Sequence, residues 1–199
     1  DERIDGEEGV LPMLQSFTTA AGFVLAVLGT RLALRQRRGW LAAYFVLAAV
    51  CCFYVTGEEL SWGQHLLGWE TPIGWAEIND QEETNLHNLG TLLNELPRHL
   101  LSGAVLVGGL ALPLLGRLWP RLYRLPQAIV LPPASLWMIA LLSGLSGLSR
   151  EKFLYDGELL GHGSEAQESY LYWFVLLYLI VLRRRVKARP ARGEATRAA

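Results

Sequence analysis

Cysteine and net charge are both scarce in this sequence. The chain has 199 residues but only two cysteines, which are direct neighbours, Cys51 and Cys52. Two adjacent cysteines exclude a framework of disulfides that would staple distant segments together. The 18 basic residues are balanced by 19 acidic ones, which leaves a net charge of -1. A chain without a basic surplus gives no reason to expect nucleic acid as a partner.

Local motifs of several enzyme classes are absent as well. The sequence contains no His-Glu-x-x-His pair and no Glu-x-x-His pair of the di-iron kind. It also contains no Gly-x-Ser-x-Gly elbow and no cysteine pair for haem attachment. Its glutamates and histidines stand instead at the spacing Glu-x-x-x-His. A metal or nucleophile site would therefore have to be assembled from separate segments.

Long apolar runs dominate what is present, and hydrophobic residues make up 51% of the chain. Five runs are apolar on every side, whereas a helix of a soluble protein shows a polar face. A soluble bundle is the alternative, but a chain of this length is too short to wrap five such helices. Because a bilayer core requires about 20 apolar residues in a helix, we predict an all-α integral membrane bundle of five transmembrane helices. The predicted ranges are residues 11–34, 39–67, 98–118, 132–149 and 165–184, all within a domain of residues 1–185.

The distribution of charge predicts the orientation of this bundle. Fourteen of the 18 basic residues follow helices 1, 3 and 5, whereas 18 of the 19 acidic residues fall on the opposite side. The positive-inside rule then places the N-terminus outside and the C-terminus in the cytoplasm. Arginine outnumbers lysine 16 to 2, a bias typical of GC-rich bacterial genomes. We therefore expect a bacterial inner-membrane protein with a periplasmic N-terminus and a basic cytoplasmic tail at residues 186–199.

Two outer segments are too long and too patterned to be plain connections, residues 57–99 and 150–168. Together they contain all four histidines. In the first segment we predict that helix 2 continues to Leu67. An amphipathic helix over residues 81–96 should follow on the membrane surface, because an Asp-x-x-Glu capping box stands at its start.

Carboxylates and histidines from three elements are predicted to meet at the outer face. On the extension of helix 2, Glu58, Ser61 and His65 share one helical face, with Glu59 beside them. Imidazole and carboxylate are the ligand set for zinc, manganese or non-haem iron. We therefore predict a site with Glu58, Glu59 and Ser61 as catalytic residues and a divalent metal, zinc, manganese or iron, as cofactor. The predicted metal ligands are His65, Glu83, His87, His162 and Glu165.

Each of these elements also has an ordinary structural interpretation. Glu58 and Glu59 could be solvated at a helix end, Glu83 could be a helix cap, and Glu165 could complement a helix dipole. Carboxylates are costly where an apolar helix meets the headgroups unless they are solvated or paired. That cost favours a polar site at the outer face, with histidines as partners.

Two strings in the chain resemble those of a family of multipass bacterial inner-membrane proteins. The strings are Glu-Glu-Leu-Ser-Trp-Gly-Gln at residues 58–64 and Glu-Thr-Asn-Leu-His-Asn at residues 83–88. They cover helix 2 and the following outer segment, and the resemblance carries no activity. A looser analogy is with membrane hydrolases of the alkaline ceramidase type, which arrange a serine and histidines around zinc. Those proteins have seven helices and a different order of motifs.

Three functions remain open at this point. The first is a metal-dependent hydrolase or other enzyme that acts on a lipid or lipid-linked substrate, with activated water and a glutamate base. The second is a non-catalytic accessory or structural subunit, which would bind a membrane-protein partner or a second copy of itself. The third is a transporter or ion pathway, which the lack of charged residues at the middle of any helix disfavours. All three have the lipid bilayer as a partner.

Overall fold

The computed structural model describes residues 10–79, 83–86, 89, 91–150 and 163–189. All regular secondary structure within these ranges is helical. The helices are α1 (Val10–Arg35), α2 (Gly39–Glu59), α3 (Gln64–Leu67), α4 (Ile73–Ala76), α5 (Thr91–Leu106), α6 (Leu112–Leu118), α7 (Trp137–Arg150) and α8 (Gly163–Ala188). A π-helical turn, Val107–Ala111, joins α5 to α6, and 3-10 turns lie at Ser61–Gly63, Pro120–Arg124, Pro126–Val130 and Ala134–Leu136.

Four stretches of the described residues are long and apolar enough to cross a membrane. They are Leu11–Arg35, Gly39–Glu59, Glu95–Leu118 and Gln127–Leu148. The described part of the chain is therefore all-helical, with four helices suited to a bilayer. The fifth predicted span lies in α8, a helix of 26 residues, or about 39 Å. Glu165 in its first turn, with Arg185 and Lys187 in its last, makes α8 more polar than the other four.

Helix α1 packs on both α2 and α8, and α2 reaches α8 through side-chain hydrogen bonds such as that between the hydroxyls of Tyr44 and Tyr178. The side chain of Phe45 in α2 is fully buried, as are those of Leu171 and Leu182 in α8. A Cβ atom at Gly29 of α1 would lie 2.4 Å from the Phe45 ring, so only glycine allows this approach. At the far end, Gln36 Nε2 donates to the main-chain oxygen of Val186 at 3.1 Å. These contacts hold the ends of α1 and α8 side by side.

The remaining helices close on the other side of α8. Gly109, in the π-helical turn, is buried, and a Cβ atom there would lie 2.5 Å from the Cβ atom of Ala140 in α7. The same position lies against the ring of Phe174 in α8. Small residues permit this kind of close backbone approach between helices in lipid.

Helix α2 differs from the prediction at its C-terminal end. It ends at Glu59 and does not continue to Leu67. The next turn, Ser61–Gly63, is left-handed, and only then does the one-turn helix α3 begin. The predicted helical face of Glu58, Ser61 and His65 is therefore wrong, because the reversal of hand breaks the helical repeat.

The surface helix predicted at residues 81–96 also differs from the structure. Among its described positions, residues 83–86 form no helix, and α5 begins at Thr91 and runs through Pro97. The side chain of Asn79 bonds to the main chain of Glu83 and Asn85. Such side-chain bonds compete with helix formation, so the segment forms a braced loop. Asp80 of the predicted capping box lies outside the described residues.

Candidate functional site

A left-handed turn follows the C-terminal end of α2. Ser61, Trp62 and Gly63 have φ values of 44°, 54° and 92°. For residues with a side chain this conformation costs roughly 1–2 kcal/mol each, and it persists only where surrounding contacts impose it. The ring of Trp62 packs against Phe53 with centroids 5.9 Å apart. The turn is therefore held by its neighbours and is not a relaxed connection.

The hydroxyl of Ser61 meets a buried carboxylate and a buried amide. Its Oγ donates to Oε2 of Glu83 at 2.5 Å. Nδ2 of Asn85 donates to the same Oε2 at 2.5 Å and lies 3.2 Å from Oγ of Ser61. The exposed fractions are 1% for Ser61, 8% for Glu83 and 0% for Asn85. Hydrogen bonds to an ionised group are the stronger ones, so this group of three is well defined.

The carboxylate of Glu58 ties the left-handed turn to the loop at residues 83–86. Its Oε1 accepts from Nε1 of Trp62 at 2.8 Å, and its Oε2 accepts from the main-chain N–H of Leu86 at 2.7 Å. Glu58 is 5% exposed, so these donors stand in for the water it gave up on burial. Its role in this geometry is to anchor Trp62 and Leu86.

Asn79 braces the same loop from the other side. Its Nδ2 donates to the main-chain oxygen and to Oδ1 of Asn85, both at 3.0 Å. Its Oδ1 accepts from the main-chain N–H of Glu83 at 3.0 Å. Both Glu83 and Asn85 are thereby fixed relative to Ser61.

The side chain of Gln64 connects α3 to the loop at residues 83–86 by hydrogen bonds. Its Nε2 donates to Oγ1 of Thr71 at 2.8 Å, and its Oε1 accepts from the main-chain N–H of Thr84 at 2.6 Å. The hydroxyls of Thr71 and Thr84 lie 3.3 Å apart. The polar network therefore reaches from the end of α2 to residue 86.

A separate polar layer connects α8 to its neighbours. The hydroxyl of Tyr172 donates to Oε1 of Glu59 at 2.7 Å, so Glu59 bonds to α8. The guanidinium of Arg98 in α5 lies 2.6 Å from a carboxylate oxygen of Glu168. The main-chain oxygen of Glu165 accepts from Nε2 of Gln15 in α1 at 3.1 Å. These bonds fasten α1, α2 and α5 to the first three turns of α8.

The structure brings three of the predicted site residues together: Glu58, Ser61 and Glu83. Glu59 and Glu165 belong to the layer at α8. His87 and His162 lie outside the described residues, and for His65 only the backbone, in α3, is described. Among the side chains that are described, no group of three or more histidine, cysteine or acidic residues is placed to hold a metal ion. The metal stays a prediction.

Six participants in the network were not among the predicted site residues, and three of them are amides: Asn79, Asn85 and Gln64. The other three are Trp62, Thr71 and Thr84. Asparagines bond readily to nearby main-chain groups, and Asn79 and Asn85 flank the run Glu82-Glu83. That composition was a usable sign of a braced loop.

A serine hydroxyl that donates to a carboxylate has the geometry of a nucleophile with its base. Family models, curated proteins and solved structures were all compared with this chain, and none matches it. The described residues therefore define its class: a helical protein in which four helices are suited to a membrane and a buried polar network lies at the end of the second.

Proposed function

We propose that this chain is a multipass membrane hydrolase that acts on a lipid or lipid-linked substrate at the outer membrane face. Ser61 is its nucleophile and Glu83 its general base. The observation that carries the proposal is the 2.5 Å hydrogen bond between Ser61 Oγ and Glu83 Oε2, made within a strained turn directly after an apolar helix. Strained residues with a positive φ cluster at functional sites.

The proposal includes a topology. α8 is the fifth crossing, with the N-terminus outside and the C-terminus in the cytoplasm of a bacterial inner membrane. In support, 14 of the 18 basic residues fall on one side of the predicted bundle, as the positive-inside rule requires. The Ser61 network then faces the periplasm, at the depth of lipid headgroups.

The chemistry uses residues already in contact. Ser61 Oγ attacks the acyl or phosphoryl centre of the substrate, and its proton passes to Glu83. Glu83 then returns the proton to the departing alcohol, and water cleaves the serine ester by the reverse route. Asn85 orients both partners, since its amide lies within hydrogen-bond distance of each. Glu58 is a positioning residue that holds the turn.

A metal-dependent version of this function stays within the proposal. In it Glu83, His65, His87, His162 and Glu165 would hold a divalent ion, zinc, manganese or iron, and the ion would supply an activated water as nucleophile in place of Ser61. The donor types are suited to that role. Removal of metal by a chelator separates this version from the Ser61 version.

A non-catalytic accessory subunit is the second candidate, and one observation favours it. Ser61 and Asn85 are 1% and 0% exposed, which is what a purely structural clasp requires. In that case the network shapes the outer segment as a surface for a membrane-protein partner.

The test is covalent labelling of native membranes with a fluorophosphonate, followed by peptide mass spectrometry. We expect labelling at Ser61 in the wild type, none in Ser61→Ala, and a loss of roughly 100-fold or more in Glu83→Gln. Ser143→Ala is the matched control, because Ser143 is also fully buried and its hydroxyl makes no hydrogen bond in the structure; its labelling should equal that of the wild type.

Other outcomes decide between the candidates. Lipid turnover that EDTA abolishes and zinc restores, without labelling of Ser61, would replace the Ser61 mechanism with the metal-dependent one. Folded wild-type protein with no labelling and no turnover, co-purified with a partner, would instead establish the accessory role.

A further inference from the structure

The basic end of the bundle contains a cavity that the proposed hydrolase does not use. It lies between α1 and α8 and has a volume of about 290 Å³, close to the lower limit of about 300 Å³ for small-molecule pockets. The lining residues are Leu28, Arg31, Leu32, Arg35, Arg183 and Lys187. Four of these six side chains are cationic, and none is acidic.

Helical spacing explains why these residues share one cavity. Arg31 and Arg35 are four residues apart on α1, and Arg183 and Lys187 are four apart on α8, so each pair lies on one helical face. The bond from Gln36 to the main chain of α8 brings these two faces together at the ends of the helices.

The four cations have no counter-charge in the described parts of the chain. None of them forms an ion pair there, and no acidic residue lines the cavity. Arg31, Arg35 and Lys187 are exposed, whereas the buried Nε of Arg183 has no hydrogen-bond partner, which is costly for a buried donor. An anion in the cavity would satisfy this donor and would be attracted by all four cations.

The position of the cavity identifies the kind of anion. On α1, residues 10–30 carry no charge before Arg31, and on α8, residues 169–182 carry none before Arg183. The cations therefore stand where apolar helix meets water, at headgroup level. Leu28 and Leu32 give the cavity an apolar wall, which suits an acyl chain and not a free inorganic ion.

We infer that this cavity binds the phosphate headgroup of an anionic phospholipid, with an acyl chain against Leu28 and Leu32. Basic pockets between transmembrane helices are a known way to hold such headgroups. The site goes beyond the proposed hydrolase chemistry, but it rests on the proposed topology, in which α8 crosses the membrane. It is also distinct from general attraction of the basic tail to the membrane, because half of its cations come from α1.

The test measures lipid binding to the full chain in detergent by native mass spectrometry. The probes are phosphatidylglycerol, phosphatidylcholine and inorganic phosphate. We expect the wild type to bind phosphatidylglycerol in preference to both others. Arg31→Gln/Arg183→Gln should weaken that binding roughly thirtyfold, at about fivefold for each cation removed. Arg117→Gln/Arg121→Gln, at two exposed positions outside the cavity, removes equal charge and should leave binding within about threefold.

Three results would overturn the inference. They are equal binding of phosphatidylcholine, equal binding of inorganic phosphate, and an equal loss in the control pair. Folding is checked by the melting temperature in lipid-free detergent, which should not fall in the cavity variant because repulsion is removed. If that variant does not fold, Arg35→Gln/Lys187→Gln in the same cavity replaces it, with the same expected loss.

Discussion

At the scale of single residues, Ser61 and Trp62 adopt a backbone conformation that glycine takes more easily. Their side chains supply the reason, since Ser61 bonds to Glu83 and Trp62 bonds to Glu58. Both partners are buried glutamates, and a buried carboxylate that loses its donors carries a desolvation penalty. The strained turn and the two carboxylates therefore stabilise each other.

Glu58→Gln tests this coupling. Both oxygens of Glu58 accept hydrogen bonds, whereas glutamine offers one oxygen and one amide that only donates. One of the two donors, Trp62 Nε1 or the N–H of Leu86, is then left facing another donor. We expect the melting temperature to fall and the amide of Leu86 to exchange with deuterium at least tenfold faster.

Glu77→Gln is the control, because the side chain of Glu77 is exposed and takes no part in the hydrogen bonds described above for the Ser61 turn. Its hydrogen exchange, measured by mass spectrometry on the same peptide, should match that of the wild type. Unchanged protection of Leu86 in Glu58→Gln would contradict the anchoring role of Glu58.

At the scale of elements, apolar helices could be predicted and the turn between them could not. The spans are a property of local composition. Three of the four stretches suited to a membrane have both ends within about five residues of the predicted ranges, and the second begins at the predicted residue but ends at Glu59. The turn that ends α2 depends instead on the partners of Ser61, which are Glu83 and Asn85, 22 and 24 residues further along the chain. Helical periodicity carries no information about such partners, so it extended the helix to Leu67.

For the candidate site, the residues could be predicted in part from the sequence, but their arrangement could not. Glu58, Ser61 and Glu83 could be named because carboxylates at a membrane boundary require partners. Their mutual arrangement could not, since it depends on the braced loop at residues 83–86 and on the asparagine side chains that prevent a helix there.

The packing of α1 on α2 gives a prediction that involves only these elements. Gly29→Ala places a methyl group 2.4 Å from the ring of Phe45, and overpacking of this kind costs typically 1–3 kcal/mol. Thermal unfolding in detergent should show a lower melting temperature. Gly103→Ala in α5 is the matched control, because no atom lies within 4 Å of its Cβ position. Alanine at that position should raise the free energy of unfolding by up to about 1 kcal/mol, because alanine has the higher helix propensity. If both substitutions changed the melting temperature in the same direction, the packing argument would be refuted.

At the scale of the whole molecule, the net charge of -1 is the sum of two unlike ends. The acidic end carries the polar network around Ser61, where carboxylates are satisfied by donors from the chain itself. The basic end carries the cavity of Arg31 and Arg183, where the cations have no acidic partner in the described residues. An end whose buried carboxylates accept hydrogen bonds from the chain itself suits positioned chemistry, whereas an end with a cluster of cations suits binding of an anionic lipid.

This division requires that α8 cross the membrane, which cysteine labelling can decide. The native cysteines are first removed by Cys51→Ala and Cys52→Ala. A single cysteine is then introduced at Glu77, Arg117 or Arg184, three exposed positions that each lie in a different loop or near the C-terminus. A maleimide that does not cross membranes should label Glu77→Cys on intact cells. It should label Arg117→Cys and Arg184→Cys only after permeabilisation.

Arg184→Cys distinguishes five crossings from four. If α8 stays on the outer side, the C-terminal end of that helix joins Glu77 outside and reacts on intact cells. That result is disfavoured physically, because Arg183, Arg184, Arg185 and Lys187 would then stand on the side that short basic segments avoid. Labelling of Arg117→Cys from outside, with Glu77→Cys protected, would invert the orientation and move the Ser61 network to the cytoplasmic face.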